Sequence, residues 1–138
     1  MLNIRKNQLS YFLSKTEQEI TKFIINHLKI ESPELIDRIP EEGLIEMVRN
    51  GIKRARKYNL DSLADITGFV SIMFEIAPNF DEISKIHNLL CNKKISPETK
   101  FSMLFEKEFD EAWEKAANSY NSEKWAEAWF PDLFGFFS

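Results

Sequence analysis

The chain has 138 residues and a formal charge of −4, with 43% hydrophobic and 29% charged residues, a mixture that excludes disorder by composition. A chain of this length buries about two-thirds of its unfolded surface without disulfides or a structural metal, so one domain covering residues 1–138 is expected. The acidic balance argues against nucleic-acid binding, which needs a basic face to displace counterions from phosphates, and is compatible with a protein partner.

Four glycines and five prolines are few, and Pro33, Pro40, Pro78, Pro97 and Pro131 stand apart as punctuation between long periodic stretches, which favours helices. The lone Cys91 excludes an internal disulfide, and Met1 to Lys15 lack the apolar run of a secretory signal, so a cytoplasmic location is expected. No stretch approaches the roughly 18 apolar residues of a spanning helix, and no membrane span is expected.

In chain order, Leu9, Leu13, Ile20, Phe23, Ile24 and Leu28 fall on one helical stripe, predicting an amphipathic helix from about Arg5 to Ile30. Ser32, Pro33 and Glu34 provide a cap oxygen, a residue pre-set for the first helical position and an early acid, restarting a short helix that Pro40 closes. Leu44, Val48, Ile52, Ala55 and Tyr58 define the next helix, Glu41 to Tyr58, whose acidic start and basic end suit the helix dipole. Asn59 fits a left-handed stop, and Asp61 or Ser62 caps a following helix with Leu63, Ile66, Phe69, Val70, Met73 and Ala77 inward. That helix is the most apolar and is expected to be the most buried.

Pro78 and Asn79 break the pattern before a shorter helix carrying Ile83, Ile86, Leu89 and Leu90 and ending near Asn92. Ser96, Pro97 and Glu98 repeat the earlier cap arrangement and open a helix through Phe101, Leu104, Phe105, Phe109, Ala112, Trp113 and Ala116 to about Ser119. A last turn or two covers Glu123 to Trp129. No window alternates with period two over a strand's length, so the fold class is all-α, a compact bundle of five to six helices with an aromatic tail at about 121–138.

Several groups invite a chemical reading. His87 and Cys91 are four residues apart and share a helix face, as a metal-ligand or nucleophile-base pair would. Packing accounts for them more simply, with Cys91 as a small buried hydrophobe. Glu106, Glu108, Asp110, Glu111 and Glu114 spiral around a helix and read as a solvated face, not an acid-base pair. Arg49, Lys53, Arg54, Arg56 and Lys57 form the basic concentration, which either docks phosphate or an acidic protein surface, or satisfies the helix dipole and the acidic segment from Glu31 to Glu46. The tail residues Trp125, Trp129, Phe130, Leu133, Phe134, Phe136 and Phe137 either complete the core or offer an apolar interface. Serine elbows, phosphate-binding glycine loops and zinc-finger spacings are absent from the sequence, so no catalytic residues, metal or cofactor are expected.

The stretch Val48-Arg49-Asn50-Gly51-Ile52-Lys53-Arg54-Ala55-Arg56-Lys57-Tyr58, followed by Asp65, Phe69, Met73-Phe74 and Asn79-Phe80-Asp81, resembles a family of small bacterial helical proteins encoded beside type VI secretion spike and effector genes. The resemblance extends over residues 1 to 105. The family continues after its Phe-Asp pair with a proline- and tryptophan-rich run, whereas this chain continues Glu82-Ile83-Ser84-Lys85-Ile86-His87. The resemblance implies a non-catalytic accessory of a secreted toxin, either an adaptor or chaperone that loads the effector or an immunity protein that neutralises it. Its partner would then be a toxin or effector encoded nearby, met through Trp125, Trp129, Phe130, Phe134, Phe136, Phe137, Arg49, Lys53 and Arg56. The alternatives are a self-assembling helical component of a larger complex, or a small enzyme using His87 with carboxylates.

Overall fold

In the computed structural model, which describes residues 17–125, the periodic stretches become six α-helices, with no strand among the described residues. The all-α reading is correct, and the helices share one apolar cluster from Ile20 to Trp125. Helix α1 (Glu17–Glu31) buries Ile20, Ile24, Ile25 and Leu28. Any helix before Glu17 lies outside the described residues.

Between α1 and α2 (Glu41–Lys57), the Ser32-Pro33-Glu34 sequence gives only a 3-10 turn, Pro33–Leu35, and Ser32 makes no side-chain cap. The chain closes there by tight turns, with Ile36 N and Asp37 N both bonded to the Pro33 carbonyl and Ile39 N to that of Ile36. This brings Ile36 inside and leaves no room for another helical turn. Helices α1 and α2 run antiparallel, tied by Arg49 to Glu17 at 3.4 Å and Lys29 to Glu41 at 3.6 Å.

Helix α2 ends as the sequence suggested. Asn59 has φ 65°, and its amide reaches the Arg56 carbonyl while Leu60 N reaches that of Ala55, the bond pair of a left-handed helix stop. The Ser62 hydroxyl then accepts from Asp65 N at 3.1 Å and starts α3 (Leu63–Glu75). The hairpin is tight because a Cβ on Gly51 would lie 2.8 Å from Val70 Cγ2 and 3.0 Å from Met73 Sδ. Only a glycine permits that approach.

After the Phe80–Glu82 turn come α4 (Ser84–Leu90) and α5 (Pro97–Met103), the latter capped by Ser96, whose hydroxyl accepts from Thr99 N at 3.3 Å. Lys100 is 1% exposed and its Nζ donates to the Leu90 carbonyl at 2.6 Å, closing the C-terminal end of α4. Burial pushes its ammonium pKa down.

The long helix expected from about Pro97 to Ser119 is broken. Between α5 and α6 (Asp110–Asn118) lies the Lys107–Phe109 turn. Leu104 and Phe109 are both buried, yet five residues along one helix would set them about 140° apart; the break lets both turn inward. Trp113 Nε1 donates to the Leu104 carbonyl at 2.7 Å, satisfying a group that the interruption frees.

Candidate functional site

One structural cluster is a buried polar chain threaded through the core. Asn50 and Arg54 on α2 and Tyr58, the residue that caps its C-terminus, recur every four residues and face the Phe80–Glu82 turn and the end of the described chain. Arg54 is 4% exposed and ion-paired with Asp81, which is 3% exposed; the guanidinium also reaches the Pro78 carbonyl. The Tyr58 hydroxyl donates to Asp81 Oδ2 at 2.7 Å. Burial, then the Asp81 charge, pushes the phenol above its ordinary range. Burial also raises the Asp81 carboxyl, against the pull of Arg54 and Tyr58.

His87 continues this chain to the surface. Its Nδ1 lies 3.2 Å from the Asp81 carbonyl oxygen and 3.3 Å from the Tyr58 hydroxyl. A carbonyl can only accept, and the hydroxyl proton is committed to Asp81, so a neutral His87 carries its proton on Nδ1. Nε2 then presents a lone pair to Cys91 Sγ, 3.4 Å away. Cys91 is exposed, correcting the expectation of a buried small hydrophobe: α4 stops at Leu90 and Cys91 caps it from outside. Among the described residues, no group of three or more His, Cys, Asp or Glu is placed to hold a metal ion.

Two buried asparagines fasten the last described segment. Asn79 Nδ2 donates to the Ser119 carbonyl at 2.8 Å and its Oδ1 accepts from Asn121 N at 3.1 Å. Asn50 Nδ2 donates to the carbonyls of Lys124 at 3.1 Å and Trp125 at 2.6 Å. The Trp125 ring packs on Phe74 with centroids 4.5 Å apart, and its Nε1 donates to the Tyr120 hydroxyl at 2.8 Å.

These bonds decide several candidate residues. Trp125 is 2% exposed and belongs to the core, so it is not an accessible partner contact. Trp129, Phe130, Phe134, Phe136 and Phe137 lie outside the described residues. Arg49 is exposed but paired with Glu17 and, at 4.0 Å, with Glu46. Lys53 and Arg56 are half-buried, each with an interaction of its own. Arg54 leaves the basic group entirely, since Asp81 holds it inside. The carboxylates of Glu106, Glu108, Asp110, Glu111 and Glu114 all belong to exposed residues.

An exposed apolar surface remains, in a groove of about 680 Å³ over α3, flanked by α1 and by Phe105. It is lined by Ala64, Thr67, Gly68 and Ser71, small residues at the i, i+3, i+4 and i+7 positions of one helical stripe, with the Phe101 ring of α5 already packed against Gly68. Phe23 and Phe105 rise beside it, 45% and 60% exposed. Phe105 is stacked on Trp113 at 6.1 Å and set edge-on to Phe101 at 5.7 Å, which fixes its ring from behind. Thr67 is 7% exposed, and its hydroxyl and that of Ser71 are buried with no hydrogen-bond partner among the described residues.

The sequence reading placed Phe23 and Phe105 on inward stripes and expected α3 to be covered. It followed the large apolar residues of α3 and passed over the small ones, whose spacing of three and four was the available signal. No family model matches this chain, and no curated protein or solved structure shows significant similarity to it.

Proposed function

We propose that this chain is a non-catalytic protein-binding module, an accessory of a bacterial secreted toxin or effector, and that it holds its partner in the groove over α3. The observation that carries the binding role is the groove itself: two large aromatic side chains stand exposed along a floor of small residues. Exposed aromatic side chains beside a concave apolar floor have the character of a recognition surface. The accessory role, whether cytoplasmic adaptor or chaperone or cognate immunity protein, rests on the sequence resemblance.

The test is capture from cells of origin by the tagged full chain, beside an Ala64→Trp variant. Ala64 is exposed on the groove floor, so an indole there fills the groove without entering the core. One stoichiometric partner encoded nearby, lost with Ala64→Trp, is the expected result; a partner retained by the variant removes the groove from the reading. An immunity protein would inhibit the captured toxin, whereas an adaptor would leave its active site open.

A further inference from the structure

We propose that Cys91 and His87 form a thiol–imidazole pair that reacts with low-molecular-weight disulfides, so that Cys91 is a site of reversible mixed-disulfide modification at the C-terminal end of α4.

The base is held in one orientation. The Asp81 carbonyl and the Tyr58 hydroxyl lie beside His87 Nδ1, at 3.2 and 3.3 Å, and fix the ring proton there, so Nε2 meets Cys91 Sγ at 3.4 Å as an acceptor. Turning the ring over would replace Nδ1 by a carbon and lose both contacts. The Tyr58 ring meets the imidazole edge-on at 5.8 Å, and its hydroxyl is committed to Asp81, which Arg54 holds inside the fold. Buried groups therefore aim an exposed base at the thiol, the arrangement that activates a sulfur nucleophile.

The charge near the sulfur is prepared as well. Cys91 follows the last residue of α4, where the free carbonyls of a helix end oppose a negative sulfur. Lys100 of α5 counters this by donating its Nζ to the Leu90 carbonyl at 2.6 Å. A charge on Cys91 in turn favours the ammonium form of Lys100, against the burial that pushes it down. Residues 88–97 add Lys93 and Lys94 and no acid. A thiol with cations and an imidazole around it is the environment in which cysteines react.

The backbone selects the reaction. Acyl transfer needs amide donors for an oxyanion, and the Cys91 and Asn92 amides are already bonded to the His87 and Leu89 carbonyls. Disulfide exchange needs only a thiolate with room for in-line approach, and Cys91 is exposed. His87 Nε2 takes the thiol proton and Cys91 Sγ attacks one sulfur of the disulfide. The S–S bond breaks, and the departing thiolate takes the proton back from His87. One thiol and one disulfide become one mixed disulfide and one small thiol. Cys91 is the single cysteine of the sequence, so no second thiol within these 138 residues displaces the adduct, which lasts until an external thiol removes it. Neither residue lines the groove over α3, and this chemistry does not depend on a partner docking there.

The test incubates the full-length protein with excess glutathione disulfide near neutral pH and follows the adduct by intact-mass spectrometry. An ordinary cysteine is only a few per cent thiolate under these conditions, which leaves room for the native protein to react about tenfold faster than the same chain unfolded in urea. One glutathionyl group is expected, on Cys91, and none on Cys91→Ser. His87→Gln, at an exposed position, should bring the native rate down to that of the unfolded chain with an unchanged circular dichroism spectrum. Tyr58→Phe, which removes a positioning group, should lower the native rate part of the way and leave the unfolded rate as it was. A native rate no greater than the unfolded rate, or a folded His87→Gln variant that reacts as fast as the native protein, overturns the proposal and makes Cys91 an ordinary exposed thiol. If His87→Gln does not fold, the native and unfolded rates of the unaltered protein decide alone.

Discussion

At Asp81 a single carboxylate holds Arg54 and Tyr58 inside the fold. Removing one member of a buried ion pair costs about 3–5 kcal/mol because the other charge is left uncompensated, whereas replacing both with apolar groups is often neutral or better. Asp81→Ala should therefore lose that amount in denaturant unfolding, and the double variant Arg54→Met, Asp81→Leu should recover part of it, because the Pro78 carbonyl and the Tyr58 hydroxyl still lose their partners. Lys100 yields a pH signature. Its folded pKa lies below the 10.5 of an ordinary lysine, so the folded state sheds this proton first. The penalty is complete below the folded pKa and shrinks as pH rises from there to 10.5, so Lys100 makes stability climb with alkalinity. Denaturant midpoints of the native protein and Lys100→Met, compared at neutral pH and near pH 10, should show the native protein gaining on the variant. At this scale the sequence was legible where the chemistry is local: Asn59 and Ser62 act within a turn of themselves. Arg54 was misplaced because its partner is 27 residues away, and a run of cations in a sequence looks the same whether or not one of them points inward.

The two described glycines in helix interiors set up a contrast between elements. A Cβ at Gly51 meets Val70 and Met73, packed core groups of α3, whereas one at Gly68 meets Phe101 Cε2 at 2.7 Å, the edge of a half-buried ring on α5. Overpacking costs about 1–3 kcal/mol, and alanine returns up to about 1 kcal/mol in helix propensity over glycine. Gly51→Ala is accordingly expected to lower stability by about 1–2 kcal/mol, and Gly68→Ala to be near neutral as Phe101 swings aside. Equal losses in thermal unfolding would mean that α5 is held as rigidly as the α2–α3 hairpin. The helices read most easily from the sequence, α2 and α3, bury a continuous stripe and have local start and stop signals. The break between α5 and α6 was missed because Phe101, Leu104, Phe105 and Phe109 satisfy a helical spacing on paper. What decides it is the demand that Leu104 and Phe109 enter the same core.

For the whole molecule, the asparagines are what keep the segment after α6 on the bundle. Asn50→Leu would leave the Trp125 carbonyl without its donor, at roughly 1–3 kcal/mol, and the Lys124 carbonyl with only the longer bond from Arg54 at 3.5 Å. The expected outcome is release of Trp125 from Phe74, seen as a red shift of tryptophan emission and as new protease cleavage within residues 119–125, with α1–α3 still folded. An unchanged emission spectrum would show that the ring contact with Phe74 and the Asn79 bonds suffice. The groove over α3 belongs to this scale too, since α1, α3 and the segment after α5 each contribute one of its sides, and no single helix declares it.

Both α1 and the segment after α6 are fastened to neighbouring residues of α2, and this has a mechanical consequence. Glu17 is bridged to Arg49, and the Trp125 carbonyl to Asn50, the next residue along the same helix. Tension applied to the chain at residues 17 and 125 would therefore run in part through one short stretch of α2. The Trp125 ring on Phe74 of α3 and the Lys124–Glu82 pair share that load, so stretching in an optical trap should begin with a small, early extension step as the Glu17–Arg49 bridge gives way, and Asn50→Leu should lower the force at which Trp125 detaches.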